Sequence, residues 1–318
     1  MRRRRLFAPV VALTTALLLC ISVAAAMAAG DEVARADAGT RDLSVQSTPD
    51  VTVAADSSWG DARPQDVQAV LSSVATVVLR NFPGRQLQPI VVAHSDLYPI
   101  TLFRHSPNDE YRVFLAAKDR YWARYVYEFA HELSHILSNY DQRRDAATGA
   151  QSQWFEEALC EIASLHALKG LAAEWEHSPP YPNWAPYAQA LDSYAENMLN
   201  EAHRALPPSV SLAAWFSSAE AQLQANPYLR KYNEVAANAL LPLFEQTPAM
   251  WRAVGYLNIN LSGGSFKDYL SAWRNNVPDE YRAPIAQIAA LFGLSSDESA
   301  ASLSDISTST VPAEVADY

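Results

Sequence analysis

His131, Glu132 and His135, in the run His-Glu-Leu-Ser-His, are the residues whose types and spacing most plainly invite chemistry. Histidines four apart on a helix lie on one face, one turn above the other, so both imidazoles can reach a single ion. Glu132 stands beside the first histidine, where a carboxylate can project toward an open coordination position and take a proton from water there. Two ligands and a base thus fall within little more than one helical turn, as zinc-assisted hydrolysis requires.

A helix must hold them. Tyr121, Trp122, Tyr125, Val126, Phe129, Ala130, Leu133, Ile136 and Leu137 are closely spaced apolar positions, with no Pro or Gly from Tyr121 to Tyr140. This pattern predicts a long helix over about 119–140, buried on most sides. Upstream, Val67, Val70, Leu71, Val74 and Val77 recur at helical spacing and predict a helix over 64–80. Strands are expected at 89–94 and 111–116, the second after a polar turn at 106–110. Downstream, helices are expected at about 153–169, 184–204, 210–223, 229–245, 247–254, 266–275 and 281–292, with breaks at Gly170, Pro179/Pro180 and Pro207/Pro208. The fold class expected is α+β: a small mixed sheet N-terminal to the motif helix, then a mainly helical half, with the metal site in a cleft between them.

Catalytic zinc usually has three protein ligands, so two histidines need a partner. The segment Trp154-Phe155-Glu156-Glu157-Ala158-Leu159-Cys160-Glu161 follows on the next predicted helix. Together the two segments resemble the gluzincin superfamily of metallopeptidases, in which a second helix supplies a glutamate ligand. Trp-Phe-Glu-Glu-Ala is similar to the Trp-Leu-x-Glu-Gly segment of aminopeptidase N-like members. The resemblance implies a zincin-like domain with Zn2+ held by His131, His135 and Glu157. It also implies Glu161, one turn further on, as the carboxylate bonding a ligand histidine, as in thermolysin-like members. Glu156 is expected at the surface. In aminopeptidase N-like members a tyrosine on a later helix stabilises the oxyanion; Tyr232, in Arg230-Lys231-Tyr232-Asn233-Glu234-Val235, is the candidate, with Tyr228 and His203 as alternatives.

The resemblance covers about residues 111–245 and has departures. The Gly-x-Met-x-Asn segment that holds a substrate's amino end is absent, so aminopeptidase activity is not supported. The strand at 111–116 stands where gluzincins present an edge to an extended peptide, which favours cleavage within a polypeptide. A second third-ligand candidate, Asp141, completes a pattern resembling the metzincins, but Ser138 replaces their glycine and neither Met198 nor Met250 has a methionine-turn context. A reading of another class is a zincin-like domain that binds a peptide or partner without cutting it. The presence of Glu132 argues against that, and a closed structural zinc site would call for more cysteine.

Composition limits the alternatives. The N-terminus has four arginines, Arg2 to Arg5, then an uncharged apolar run from Leu6 to Ala29 ending in small residues. This order is that of a secretory signal peptide over 1–29, and the run is also long enough to act as an uncleaved signal anchor. Lipid attachment at Cys20 is disfavoured by Leu19 before it, and the arginines match a twin-arginine signal only loosely. An exported, secreted or periplasmic location is therefore expected, with membrane contact only through such an anchor. Of 24 basic and 35 acidic side chains, removing the signal leaves 20 and 35, a net charge near −15, which excludes a basic nucleic-acid surface. Peptide or protein substrates are the expected partners. Only Cys160 remains of the two cysteines, so no intrachain disulfide can form, and its apolar setting predicts a buried small hydrophobe. His94, His105, His166 and His177 lack ligand spacing and are expected at the surface or in the core. Residues 30–55 are expected to be a flexible lead-in, 56–294 the metallopeptidase domain, and 295–318 a flexible Ser-rich acidic tail.

Overall fold

Short stretches of alternating burial build a four-stranded mixed sheet. The computed structural model describes residues 50–55, 57–143, 152–260 and 263–294. Strand β1 (Val51–Val53) runs parallel to β2 (Ile90–His94), and β2 parallel to β4 (Tyr111–Leu115). Strand β3 (Ile100–Thr101) pairs antiparallel with β4, giving the order β1-β2-β4-β3. Ile90, Val92, Val113 and Leu115 are fully buried, two residues apart on each strand as the pleat dictates. Helix α1 (Pro64–Leu79) connects the parallel pair β1 and β2, with Pro64 in its first turn and Val67, Val70, Leu71 and Val74 buried.

The remaining helices are α2 (Trp122–Leu137), α3 (Gln153–Trp175), α4 (Tyr187–Leu199), α5 (Leu212–Ala225), α6 (Arg230–Gln246), α7 (Ala249–Val254), α8 (Phe266–Asn276) and α9 (Asp279–Leu291). The expected α+β class is thus the observed one: a small mixed sheet precedes α2 and a helical region follows it.

Four expectations about elements need correction. The lead-in was expected to reach residue 55, yet Val51–Val53 is a sheet strand; three residues in polar surroundings show little local signal, and the pairing partner lies 39 positions on, as Val51 opposite Ile90. The strand at 111–116 is not the edge, because the two-residue β3 covers it. Gly170 does not break its helix: α3 runs through it, and a Cβ there would meet Val77 Cγ1 at 2.8 Å, so glycine serves the close approach of α1 and α3. The helix expected over 184–204 is also shorter, with 3-10 turns at Pro182–Trp184 and Ala202–Arg204 flanking α4.

An aromatic cluster fixes the first turn of α3. Trp154 packs on Phe266 with ring centroids 4.8 Å apart, and Phe155 on the same ring at 5.0 Å, with Phe216 and Phe292 closing round them. Such rings contribute both area and orientation, so the turn carrying Glu156 and Glu157 has little freedom against its neighbours. The signal or anchor segment, the lead-in to residue 49 and the tail from 295 lie outside the described residues. No described helix is long and apolar enough to cross a membrane.

Candidate metal centre

Helix α2 is buried on most sides, so its polar residues must find partners inside the protein. Glu128 does so at the start: its Oε2 accepts from the Ala116 and Ala117 backbone N–H groups at 2.7 and 2.8 Å, and Oε1 from Arg124 Nε at 2.7 Å. That carboxylate ties the end of β4 to α2. One turn on, Glu132 is 4% exposed, and its Oε2 lies 2.8 Å from Thr101 Oγ1, which links the edge strand β3 to the candidate base. Burial pushes the Glu132 carboxyl above the usual range, opposed by the nearby His135 and His131 and by the Thr101 hydrogen bond.

The two histidine rings stand 5.0 Å apart between centroids, as i,i+4 neighbours should. Glu157 Oε2, from α3, lies 3.2 Å from His131 Nε2 and 3.7 Å from His135 Nε2. A tetrahedral ion with bonds of about 2.1 Å has ligand-to-ligand edges of roughly 3.4 Å, so these separations suit one zinc ion. On the far side of the second imidazole, His135 Nδ1 is 2.5 Å from Glu156 Oε1. A carboxylate there makes Nδ1 the protonated nitrogen and leaves Nε2 as the donor toward a metal. Two imidazoles and a carboxylate are the donor types that zinc takes, and both carboxylate-to-imidazole separations are of the right size.

Glu156 is the main surprise. Expected at the surface, it is 0% exposed, and Asn258 Nδ2 donates to its other oxygen at 2.5 Å. Glu161, expected to bond a ligand histidine, instead bonds Arg204 Nη1 at 2.7 Å and the Tyr127 hydroxyl. The role expected of Glu161 belongs geometrically to Glu156. Both lie on the first half of α3, which is apolar nearly all round, so most polar residues there are buried; that was the available signal.

Cys160 is buried as expected, but its Sγ lies within 4.8 Å of ring nitrogens of both His131 and His135. Burial pushes its thiol up to about 12, so it is a neutral neighbour near pH 7. Burial likewise disfavours a charged His135. Against that, Cys160, Glu157 and Glu156 favour its proton and hold it well above the usual range; with the thiol neutral, the two carboxylates carry the effect.

A cavity of about 650 Å³ opens over these groups, walled by β3 and its flanks, α2, α3 and the start of α6. Tyr232 is not among its lining residues: its ring packs against Trp215, centroids 6.1 Å apart. Tyr228, the alternative, does line it; its oxygen accepts from Gln153 Nε2 at 2.8 Å, which leaves the phenol hydrogen for another acceptor. His203 does not line it but bonds Glu234, which does. Asp141 is also outside the lining, on the 3-10 turn Tyr140–Arg143. The turn after α2 is made by Asn139 at φ 57°, whose Nδ2 donates to the Gly255 and Leu257 carbonyls at 2.9 Å each. Of the remaining histidines, His94 stacks edge-on against Trp59, His105 bonds Asp109, His166 bonds Asn81, and His177 is exposed; none reaches the cavity.

Along the same cavity lies a second set that sequence reasoning missed. Arg204, with no side-chain exposure, joins Glu161 and Glu234 at 2.7 and 2.8 Å, and Arg230 Nε reaches Glu234 at 2.7 Å. Burial, then the Glu161 charge, keep the Tyr127 phenol well above its ordinary range, so it stays protonated and donates to Glu161. Comparison with protein-family models, with curated proteins and with solved structures finds no match.

Proposed function

We propose that this chain is an exported zinc-dependent metallopeptidase of gluzincin type that hydrolyses bonds within peptides or proteins. The observation carrying the proposal is the approach of Glu157 Oε2 to His131 Nε2 and His135 Nε2, at 3.2 and 3.7 Å, with Glu132 in the same cavity. Zinc bound there would supply a Lewis acid and a water of lowered pKa.

The chain's own residues account for the rest. Glu132 takes a proton from the attacking water and passes it to the leaving amine, while Thr101 holds one of its oxygens in place. The phenol hydrogen of Tyr228 is the donor available to a developing oxyanion. An extended peptide would lie along β3, whose outer side is unpaired among the described strands. Ile100 and Phe103, both exposed, give that edge apolar surface for substrate side chains.

The test is to measure bound zinc and proteolysis for the wild type, Glu132→Gln and Glu157→Gln. Glu132→Gln should retain zinc and lose about 10²–10⁴-fold in turnover. Glu157→Gln should lose both. Full activity in Glu132→Gln overturns the mechanism, and normal zinc affinity in Glu157→Gln overturns the ligand set.

A further inference from the structure

We infer that Arg230 forms a carboxylate-binding subsite of the cavity, so that substrates present a carboxylate to it close to the cleaved bond. The inference rests on the peptidase reading above. Among the described residues, the cavity is lined by six glutamates, at 128, 132, 156, 157, 161 and 234, and by one Arg or Lys side chain, Arg230. Apart from a metal held at the histidines, an anionic group on a substrate is repelled along most of that lining and attracted at Arg230.

The guanidinium is built to receive a ligand rather than only to bridge protein groups. Its Nε donates to Glu234 Oε1 at 2.7 Å, its Nη2 to the Tyr127 hydroxyl at 3.2 Å, and its Cζ lies 5.8 Å from the Tyr127 ring centre. These contacts fix the plane of the fork. Glu234 is itself held by Arg204 and His203, so the anchor does not depend on Arg230. With five N–H donors on the group and two used, three have no protein partner among the described residues, and the side chain is 67% exposed. A planar pair of parallel N–H bonds is the geometry that binds a carboxylate in bidentate fashion.

Position then limits the substrate. Tyr127, beneath the guanidinium, precedes His131 by one helical turn, about 6 Å along the axis. An extended peptide advances roughly 3.3 Å per residue, so a carboxylate held at Arg230 lies within a few residues of the bond over the histidines. Either the C-terminal carboxylate of a short peptide or an Asp or Glu side chain supplies that group.

Two measurements test it, each with hexapeptides of mixed sequence made in matched pools: free acid against C-terminal amide, and Glu-containing against Gln-containing. Binding is read by fluorescence anisotropy on zinc-loaded Glu132→Gln, and cleavage by mass spectrometry on the wild type. Carboxylate-bearing peptides should bind about tenfold or more tightly than their neutral counterparts. The preference should vanish in Glu132→Gln carrying Arg230→Gln and return in part with Arg230→Lys. A preference confined to the first pair identifies the C-terminus as the source, and one confined to the second identifies the side chain. Equal binding of charged and neutral peptides, or a preference that survives Arg230→Gln, overturns the subsite. The wild-type comparison holds whether or not the variants fold. If carboxylate-dependent binding is found but the wild type cuts nothing, the peptidase reading fails and the subsite stands.

Discussion

Replacing Glu156 by Gln should weaken zinc binding, although no metal contact is removed. Glu156 receives His135 Nδ1 at 2.5 Å and Asn258 Nδ2 at 2.5 Å. Asn258 cannot turn its amide to suit a glutamine, because its Oδ1 accepts from Tyr269 at 2.8 Å and its Nδ2 also donates to the Ser138 carbonyl at 3.0 Å. Glutamine has one oxygen and one NH2 group, so one of the two incoming donors would face another donor. If the amide oxygen stays with Asn258, His135 loses the acceptor that orients its ring. If it stays with His135, the charge that strengthens the imidazole as a ligand is still lost. Loss of such a partner costs about 10–100-fold in metal affinity, or about 1.4–2.7 kcal/mol at roughly 1.4 kcal/mol per decade. The assay is zinc competition against a chelator at fixed pH, with urea unfolding of the metal-free protein to confirm a folded state. Glu161→Gln is the control. It contacts Arg204 and Tyr127 rather than a histidine, so it should cost about 1.5–3 kcal/mol of stability while zinc affinity changes little. The reverse pattern, with affinity lost in Glu161→Gln and kept in Glu156→Gln, would refute the assignment.

Arg204→Met removes the cation that neutralises buried Glu161 and Glu234; a loss of about 3–5 kcal/mol is expected in urea unfolding, and a change under 1 kcal/mol would show that the network is not coupled to the fold. Burial pushes the Glu234 carboxyl up, but bonds from Arg230 and His203 and the charge of Arg204 outweigh it and hold it below the ordinary value. Its contribution is thus complete above the unfolded pKa of about 4.3 and is lost as pH falls through the lower folded value; Glu234→Gln should show a flatter fall in urea midpoint between about pH 5 and 3, and an unchanged slope would contradict this. Thr101→Val removes the hydroxyl that meets Glu132 at 2.8 Å; it should cost about 1 kcal/mol of stability and lower turnover with zinc content unchanged, and full turnover would mean that β3 does not position the base.

The legible parts were those in which one element carries its own signal. The spacing of His131 and His135 sets a common face on any helix, and the apolar run around them predicted that helix to within a few residues of Trp122–Leu137. Parallel β2 and β4 stood out as mainly apolar stretches of five residues, whereas β1 and β3 have three and two and exist only through their partners. Tyr232 and Tyr228 could not be separated by sequence, since both sit near the start of α6 and only packing against Trp215 takes the first away from the cavity.

The neighbouring glutamates show why a site can be half legible. Adjacent residues on a helix point about 100° apart, so on an amphipathic helix one of Glu156 and Glu157 would face solvent. With Glu157 taken as the ligand, Glu156 was expected at the surface. Helix α3 is instead enclosed, with α2 on one side and Asn258 on another, and both carboxylates turn inward around a single imidazole. Glu157 meets the Nε2 side of His135 and Glu156 the Nδ1 side. Which of the two meets the Nε2 side depends on how α3 crosses α2, and the aromatic packing of Trp154 and Phe155 against α5, α8 and Phe292 holds that crossing in place. Those contacts join residues more than sixty positions apart, so which glutamate meets Nε2 and which meets Nδ1 is a property of the core, not of the motif.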